Sequence, residues 1–435
     1  MQTGAVPSVE TYSFTWAGAP IINKAWLGAV LLWLAYDLGG LNLTFFLRAL
    51  LIGLSYGLLW LWLLKLGSGA HLATFLTLIA GLAGSNNWAF RPQLFGYPLF
   101  AFVLLLLWQW QSKKSRALWL LPIISCLWTN IHGSFLLFFV LGGSALLFGT
   151  GDRKRLLIVL IASFFASFIH PFGFDNWRMV IETYSVSGSQ TLSGEWMPPT
   201  NTGWQLNIFF AWVLLMAPLA ASSSRRLSTM EWIWLLGMVW MAISGVRYIV
   251  WTLFLLAMAT GKLLSDWDSR WLDAPVDVRL PALNYALSII ILVIPLLALP
   301  FIREAIGMKA PPVVSPDTPI QATSWLADHP DLPGSLWSDM IFSSYLIYAL
   351  PSRPVWIDTR FEIIYPPEQY ELYSKISSSA QGWQKLFDEQ DINLLMLSKF
   401  SQPVLIKAVR DSNEWCEVYQ DSVAAIFTRR AGQCL

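Results

Sequence analysis

Polar and charged residues at the ends of long apolar runs are the places where this 435-residue sequence could do chemistry. The strongest set is Glu10, Arg91, Asn130, His132, His170, Glu195 and Arg247. A carboxylate such as Glu10 could act as general base toward an acceptor hydroxyl, while arginines and a histidine could bind a phosphate or diphosphate leaving group. These are the groups that a transferase with a phosphate leaving group would need.

Each of these residues also has a plainer interpretation. Arg91 could reach toward lipid headgroups from the mouth of a helix. His132 could cap the short helix before it, and His170 could simply end a helix. Glu195 and Glu10 could be solvated charges. The placement of the whole set on one side, more than any single residue, favours a site.

The composition is that of a protein whose solvent is a bilayer. Hydrophobic residues make up 55% of the chain and charged residues only 13%, which exceeds the apolar share of soluble domains. The net charge is +1, and the basic residues are gathered in short loops, which disfavours nucleic-acid binding. Of the three cysteines, Cys416 and Cys434 could form a single disulfide bridge with each other. The cysteine spacing does not match that of a zinc site.

Ten apolar stretches approach the length of about 20 residues that a helix needs to cross a bilayer. They are Leu43–Leu64, Ala70–Ala83, Leu94–Trp110, Ala117–Trp128, Ser134–Phe148, Leu156–Ile169, Trp204–Leu219, Glu231–Ile243, Ile249–Leu264 and Pro281–Phe301. The shorter stretch Ile21–Leu38 carries Lys24, Trp26 and Asp37, which predicts a helix lying in the membrane interface.

Every second connection between these stretches is basic. The basic residues are Lys65; Lys113, Lys114 and Arg116; Arg153, Lys154 and Arg155; Arg225 and Arg226; and Lys262, Arg270 and Arg279. The positive-inside rule places these loops in the cytoplasm, so the candidate residues and both termini face outward. An external N-terminus without a secretory signal sequence is less usual than an internal one. This topology therefore predicts that a first helix is missing.

The sequence after Phe301 predicts a separate soluble domain of α/β type. Predicted strands are Ser335–Asp339, Val355–Asp358, Ile392–Leu397, Trp415–Tyr419 and Val423–Thr428, and predicted helices are Thr318–His329, Ser343–Leu350, Pro366–Ile376, Gln381–Gln390 and Pro403–Arg410. The alternation favours some parallel pairing, with an antiparallel hairpin at the end. Asp358 and Arg360 follow a strand, where binding residues often lie, but the sequence favours an internal ion pair or a turn cap over a binding role.

The predicted fold class is thus a polytopic α-helical membrane protein with a C-terminal soluble α/β domain. Residues 1–42 form an external loop with the interfacial helix, residues 43–303 form the transmembrane domain of about ten spans, and residues 304–435 form the extracytoplasmic α/β domain.

Several motifs in a fixed order resemble those of a known superfamily. They are GAVPSVETYSFT at Gly4–Thr15, RPQLFGY at Arg91–Tyr97, WTNIHG at Trp128–Gly133, HPFG at His170–Gly173, EWMP at Glu195–Pro198, GVRY at Gly245–Tyr248 and VWIDTR at Val355–Arg360. The chain resembles bacterial polytopic proteins of the GT-C glycosyltransferase superfamily. This group of bacterial proteins is related in architecture to oligosaccharyltransferase catalytic subunits, protein mannosyltransferases and the lipid A aminoarabinose transferase.

The resemblance implies a donor sugar linked to a polyprenyl phosphate or diphosphate and a catalytic carboxylate in the first external loop. It assigns Glu10 as the base, where relatives tend to carry Asp, and a His-Glu pair expected before Trp26 is replaced by Lys24 and Ala25. The donor phosphate would bind Arg91, His132, His170 and Arg247, with support from Asn130, Glu195, Tyr248, Asp358 and Arg360. Some members bind a divalent metal, but the sequence has no dense carboxylate cluster, so no metal ligand is assigned.

The predicted function is transfer of a sugar to an acceptor on the outer face of a bacterial inner membrane. The partners are the polyprenyl-phosphate-linked sugar and membrane lipid, and the acceptor could be a glycan, a lipid or a protein. A non-catalytic membrane component that binds a lipid-linked glycan or a partner enzyme is the alternative. A solute transporter is disfavoured because no internal repeat is detectable and the terminal domain is large.

Overall fold

A computed structural model of the chain describes residues 5–112, 116–185, 194–271, 285–286, 289, 300–307, 314–332, 335–360 and 364–430. The chain divides into two compact units. The α/β unit comprises Met1–Asn23, Thr183–Leu192 and Pro312–Leu435, and the helical unit comprises Lys24–Glu182 and Ser193–Pro311. The first 23 residues therefore group with the C-terminal residues rather than with the helix that follows them.

The helical unit is built from a consecutive series of apolar helices. They are α1 (Trp26–Leu66), α2 (Ala70–Ala83), α3 (Gln93–Gln111), α4 (Leu121–Ile131), α5 (Leu136–Phe148), α6 (Arg153–Ala166), α7 (Gly173–Ser185), α8 (Trp204–Ser222), α9 (Thr229–Ser244), α10 (Ile249–Trp271) and the short α11 (Pro300–Ala305). The first nine predicted apolar stretches overlap α1–α6 and α8–α10. The tenth, Pro281–Phe301, lies largely outside the described residues, as do Lys113 and Lys114.

Four of the described helical segments are long and apolar enough to cross a membrane, judged by length and composition. These are Trp26–Leu66, Gln93–Gln111, Trp204–Ser222 and Val246–Asp266. The others are shorter, as in α2 and α5, and a bundle can accept shorter helices where protein covers the backbone. The chain thus has the features of an integral membrane protein, while its orientation stays a prediction.

A kink divides α1 into two helices. Gly39 and Gly40 have non-helical backbone angles, and Gly40 has a φ of 60°, a left-handed conformation that favours glycine. The residues before the kink form a helix that begins at Trp26, within the range predicted for the interfacial helix. The residues after it form the long apolar helix that includes the predicted span Leu43–Leu64.

The predicted connection His170–Trp204 contains a helix that the sequence analysis did not assign. Residues 173–185 form α7, while the outward orientation of the connection stays a prediction. This helix is amphipathic: Asn176 and Val180 are buried, whereas Arg178 is exposed and pairs with Asp175 and Glu182. Because α7 has no long apolar run, a search for membrane spans does not detect it.

The interior of the helical unit is aromatic. Trp251 of α10 packs edge-on against Phe100 of α3 with ring centroids 5.0 Å apart, and it stacks on Trp128 of α4 at 6.2 Å. Phe254, one turn further along α10, lies 5.8 Å from Phe100. All four rings are almost wholly buried. Helix α10 is therefore the central helix against which α3 and α4 are positioned.

The α/β unit is a layered sheet with helices on both faces. Its elements are α12 (Ile320–Asp328), β1 (Ser335–Ser338), α13 (Met340–Ala349), α14 (Pro367–Ser377), α15 (Trp383–Glu389), β2 (Ile392–Ser398), α16 (Pro403–Asp411), β3 (Trp415–Gln420) and β4 (Ala424–Arg429). The strand order is β1-β2-β4-β3, with β1 and β2 parallel and the other pairs antiparallel. The predicted parallel pairing and terminal hairpin are confirmed.

Alternate residues of the strands build the two cores of this unit. Trp337, Leu395 and Phe427 pack on one face, and Leu336, Leu394 and Ile426 pack on the other. The central strand β2 is therefore apolar along nearly its whole length, as expected for a strand covered on both faces.

The predicted strand Val355–Asp358 is present only as bridges at Val355. This residue pairs in parallel with Leu336 of β1 on one side and with Ser13 on the other. Pro354, just before it, has no amide hydrogen with which to extend the ladder. The pairing adds the N-terminal segment to the β1 edge of the sheet. Cys434, the partner proposed for Cys416, lies outside the described residues.

Candidate functional site

The predicted site residues fall into two groups, one in each unit. Arg91, Asn130, His132, His170, Glu195, Arg247 and Tyr248 belong to the helical unit, and Glu10, Asp358 and Arg360 belong to the α/β unit. Each group is built by segments that are distant in sequence.

The EWMP and GVRY motifs are joined by their backbones. The amide of Arg247 donates to the carbonyl of Glu195, and the amide of Val246 donates to the carbonyl of Met197, both at 3.0 Å. A Cβ on Gly245 would lie 3.1 Å from the Trp196 carbonyl oxygen, so this close approach is suited to glycine. The pairing fixes Arg247 beside Trp196.

Arg247 is held against an aromatic face. Its guanidinium carbon lies 4.0 Å from the centroid of the buried Trp196 ring, which is a cation–π contact. The neighbouring carboxylate of Glu195 forms an ion pair with Arg91, at the entrance to α3. Arg91 and Glu195 are both substantially exposed, so their charges remain accessible to a ligand.

Asn130 holds three segments together through hydrogen bonds, near the residues just described. Its amide nitrogen donates to the carbonyls of Cys126 at 2.8 Å and Ile169 at 2.7 Å, and its amide oxygen accepts from the indole of Trp26 at 2.7 Å. The start of α1, the end of α4 and the residue before His170 are thereby brought together. Asn130 is consequently a positioning residue for the motifs around it.

Close packing of α1 brings Arg91 into the same region. A Cβ on Gly28 would lie 2.7 Å from Cβ of Pro92 and 2.9 Å from the carbonyl oxygen of Ile131. The entrance to α3 and the end of α4 thus meet across Gly28. Arg91 and His132 are the neighbours of these two contact residues in sequence.

His132 caps the turn that leads into α5. Its Nδ1 accepts from the amide of Ser134 at 3.0 Å and lies 2.9 Å from the Ser134 hydroxyl, which itself accepts from the indole of Trp128. Burial, together with the positive charges of Arg247, Lys24 and Arg91, holds the pKa of His132 well below its ordinary value. The ring is therefore neutral near pH 7, and its proton lies on Nε2, where it can be donated to a ligand.

His170 has a similar arrangement. Its Nδ1 accepts from the amide of Phe172 at 3.2 Å, and burial lowers its pKa to about 4. Its buried Nε2 has no hydrogen-bond partner among the described residues, and neither do the side-chain nitrogen and oxygen of the buried Asn176. Buried polar groups are normally paired, so these atoms could receive a ligand or water.

The sequence analysis did not select three residues that lie among these side chains of the helical unit. Lys24 lies close to Gly133, since a Cβ on that glycine would be 3.8 Å from Cδ of Lys24. Trp196 supports Arg247, and Asn176 is one helical turn before Val180, which also packs on Gly133. The replacement of an expected His-Glu pair by Lys24 and Ala25 was the one available signal, because it adds a positive charge.

We call Lys24, Arg91, His132, His170, Glu195 and Arg247 the basic cluster. It has three cations, one carboxylate and two neutral imidazoles. Such a set can bind phosphate oxygens and stabilise negative charge that develops on them. Within the part of the chain that the structure describes, no three His, Cys, Asp or Glu residues are grouped to hold a metal ion, and the excess of cations does not suit one.

The α/β unit contains a buried ion network centred on Arg360. Its guanidinium donates to Glu10 Oε2 at 2.9 Å and Oε1 at 3.1 Å, and to Asp358 Oδ1 at 2.9 Å and Oδ2 at 2.7 Å. The hydroxyl of Tyr365 donates to Asp358 at 2.8 Å. Although burial opposes it, the hydrogen bonds and charges of Asp358 and Glu10 raise the pKa of Arg360 above its ordinary value. The interpretation of Asp358 and Arg360 as an internal ion pair is confirmed.

Both carboxylate oxygens of Glu10 accept hydrogen bonds in this network. Its side chain is wholly buried, and Oε1 also accepts from the amides of Tyr12 at 2.6 Å and Ser13 at 2.9 Å. The contacts fit a residue that anchors the N-terminal segment. The assignment of Glu10 as general base stays a prediction, and the carboxylate would have to leave Arg360 to meet an acceptor hydroxyl.

Comparisons with known proteins show the fold. No family model and no curated protein matches the sequence. A solved structure of the arabinofuranosyltransferase AftD from Mycobacteria is similar at 17% identity and a TM-score of 0.51, covering 90% of this chain and 35% of the AftD chain. This chain thus spans about a third of AftD.

The archaeal oligosaccharyltransferase AglB from Archaeoglobus fulgidus is also similar. Its structure, in complex with an inhibitory peptide and a dolichol-phosphate, has 12% identity and a TM-score of 0.57, covering 99% of this chain and 69% of the AglB chain. Both similarities show a shared fold, so the fold expected from the motifs is confirmed.

Proposed function

We propose that this chain is a GT-C-type membrane glycosyltransferase that moves a sugar from a polyprenyl-phosphate-linked donor to an acceptor on the non-cytoplasmic face. The observation that carries the proposal is the basic cluster, which five separate motif segments and Lys24 assemble at one end of the helical unit. The dolichol-phosphate in the AglB structure supports a lipid-linked phosphate as ligand.

The cations of the basic cluster have the chemistry to hold the donor phosphate. Arg91 and Arg247 offer planar guanidinium donors that match phosphate oxygens, and Lys24 adds a point charge. His132 and His170 each present a neutral Nε2–H. As the anomeric C–O bond breaks, its electron pair goes to the phosphate oxygen, and these donors stabilise the charge that appears there.

The same reaction requires a proton acceptor. The acceptor hydroxyl oxygen forms the new bond to the anomeric carbon and loses its proton to a carboxylate. Glu10 is the predicted base, and Glu195 is a second candidate because it lies within the basic cluster. Burial of Glu10 against Arg360 favours Glu195 unless the ion network opens.

The second candidate function is non-catalytic binding of a lipid-linked glycan. The engagement of both Glu10 oxygens by Arg360 favours it, because the carboxylate that the resemblance assigns as base is then unavailable for proton transfer. In that case the basic cluster would hold the phosphate without cleavage of the sugar.

Transfer of label from a panel of polyprenyl-phosphate sugars by the purified protein in lipid tests the proposal. We expect labelled product with at least one donor and release of polyprenyl phosphate in equal amount. Tight donor binding without product, at pH 6 to 8 and over a broad acceptor panel, would instead support the binding protein.

A further inference from the structure

A long apolar groove lies in the helical unit at a distance from the basic cluster. Helices α2, α8 and α10 enclose about 650 Å³, and the lining includes Phe75, Leu76, Trp212, Leu215, Leu219 and Leu264. This volume is in the range of ligand-binding cavities. The Trp212 indole donates to the Thr260 hydroxyl at 2.8 Å, so these polar groups of the wall already have partners. The groove therefore offers carbon surface to an occupant.

One end of the groove is basic. Leu219 and Ser222 line the groove in the last turns of α8, and the guanidinium of Arg226 donates to the carbonyl of Ala220 at 3.0 Å between them. Arg226 is exposed and has no carboxylate partner among the described residues, whereas its neighbour Arg225 pairs with Asp266 at 2.7 Å. A cation is thus placed at the mouth of an apolar groove.

This end is remote from the candidate donor site. Arg247 lies in the turn just before α10, whereas the groove residues Thr260 and Leu264 lie at the middle of that helix and one turn beyond it. At 1.5 Å per residue, the separation of Arg247 from Thr260 along the axis is about 20 Å. Arg226 therefore cannot serve the same phosphate as the basic cluster.

We propose that the groove binds an acyl chain of an anionic phospholipid, with Arg226 holding the headgroup phosphate. A cation at one end of an apolar groove matches the two parts of such a lipid. A transmembrane helix of a partner is a poorer fit, because helix contacts in membranes favour small residues, while Phe75 and Leu215 are large and more than half exposed.

Photocrosslinking tests the proposal. The full chain in nanodiscs of phosphatidylcholine receives phosphatidylglycerol with a diazirine in its acyl chain, and labelled peptides are mapped. We expect labelling of the peptide that contains Leu215. Leu215→Trp should fill the groove and lower this labelling at least five-fold, while Leu214→Trp is the matched control, since Leu214 is exposed on α8 but does not line the groove.

A second, milder variant tests the selectivity for the lipid headgroup. Arg226→Gln should remove most of the preference for phosphatidylglycerol over a phosphatidylcholine probe, and Lys154→Gln, an exposed basic residue at the start of α6, should leave it intact. Equal labelling by both probes in the unaltered protein would overturn the proposal. So would displacement of the probe by a polyprenyl phosphate at lower concentration than by phosphatidylglycerol, because the groove would then hold an isoprenoid.

Discussion

Arg247 illustrates how single residues acquire a chemical role here. It is fixed by its backbone bond to Glu195 and by the face of Trp196, so its guanidinium is preorganised and loses little freedom when a phosphate binds. His132, positioned through Ser134, is kept neutral by burial and by the surrounding cations, which lower its pKa.

Arg247→Gln should lower kcat by about a hundred- to a thousand-fold, the usual cost of removing one donor from a developing anion. Arg247→Lys should lie between Gln and the native residue, because lysine keeps the charge but loses the planar fork. Steady-state transfer kinetics measure both. Arg178→Gln is the matched control, since Arg178 pairs with Asp175 and Glu182 on the exposed face of α7. An Arg247→Gln enzyme as fast as the control would remove Arg247 from the phosphate site.

Glu10→Gln separates anchoring from proton transfer. If Glu10 anchors the N-terminal segment, we expect Glu10→Gln and Arg360→Gln to lower the thermal unfolding midpoint together, with any loss of activity following the loss of folded protein. Glu195→Gln should then be the variant whose kcat falls while its stability is retained. Abolished transfer in a fully stable Glu10→Gln protein would contradict the anchoring role and establish Glu10 as the base.

At the scale of elements, side chains at a helix end can both cap that helix and link it to its neighbour. Ser228 and Glu231 form a capping box at the start of α9, and Glu231, almost fully buried, also receives the ammonium of Lys262 from α10 at 2.6 Å and 2.9 Å. The Glu231 carboxylate thus accepts from the backbone at the start of α9 and also links α9 to α10.

Glu231→Ala should destabilise the protein by about 3 kcal/mol, because it leaves Lys262 without this partner and removes half of the capping box. Ser228→Ala removes only the cap and should cost about 1 kcal/mol. Unfolding in a graded series of denaturing and mild detergent would give both values. Equal effects of the two substitutions would show that the ion pair contributes nothing beyond the cap.

Elements were predicted well from sequence where one physical signal dominates. The apolar runs of α2 and α3 and the strand β2 were found almost to the residue, because length and hydrophobic pattern decide them. Helix α7 was missed because its pattern is amphipathic rather than apolar. The bridge at Val355 was predicted as a full strand, since Pro354 and the pairing with Ser13 act only in the folded chain.

The candidate site shows the same division between local and long-range information. Arg91, Asn130, His132, His170, Glu195 and Arg247 could be selected because polar residues beside apolar runs are conspicuous. Neither Lys24 nor Trp196 was selected, since their importance depends on contacts with Gly133 and Arg247. The pairing of Glu10 with Arg360 joins residues 350 positions apart, which no local pattern reveals.

At the scale of the whole molecule, the N-terminal and C-terminal residues belong to the same compact unit. Residues 1–23 group with the C-terminal residues, and Ser13 extends the sheet through Val355, so both ends of the chain contribute to the α/β unit. The motif set is divided accordingly: the basic cluster belongs to the helical unit and the Glu10 network to the α/β unit. A glycosyltransferase built in this way would separate phosphate binding from the anchoring of its N-terminal segment.

The location of the lipid-linked phosphate is the most direct test. A polyprenyl phosphate with a photoreactive group beside its phosphate should crosslink, in the full chain in lipid, to the peptides that contain His132 and Trp196. Arg91→Gln combined with Arg247→Gln should remove these crosslinks, while Arg178→Gln keeps them. Crosslinks confined to other peptides, or unchanged in the double variant, would contradict the assignment of the basic cluster as the donor phosphate site.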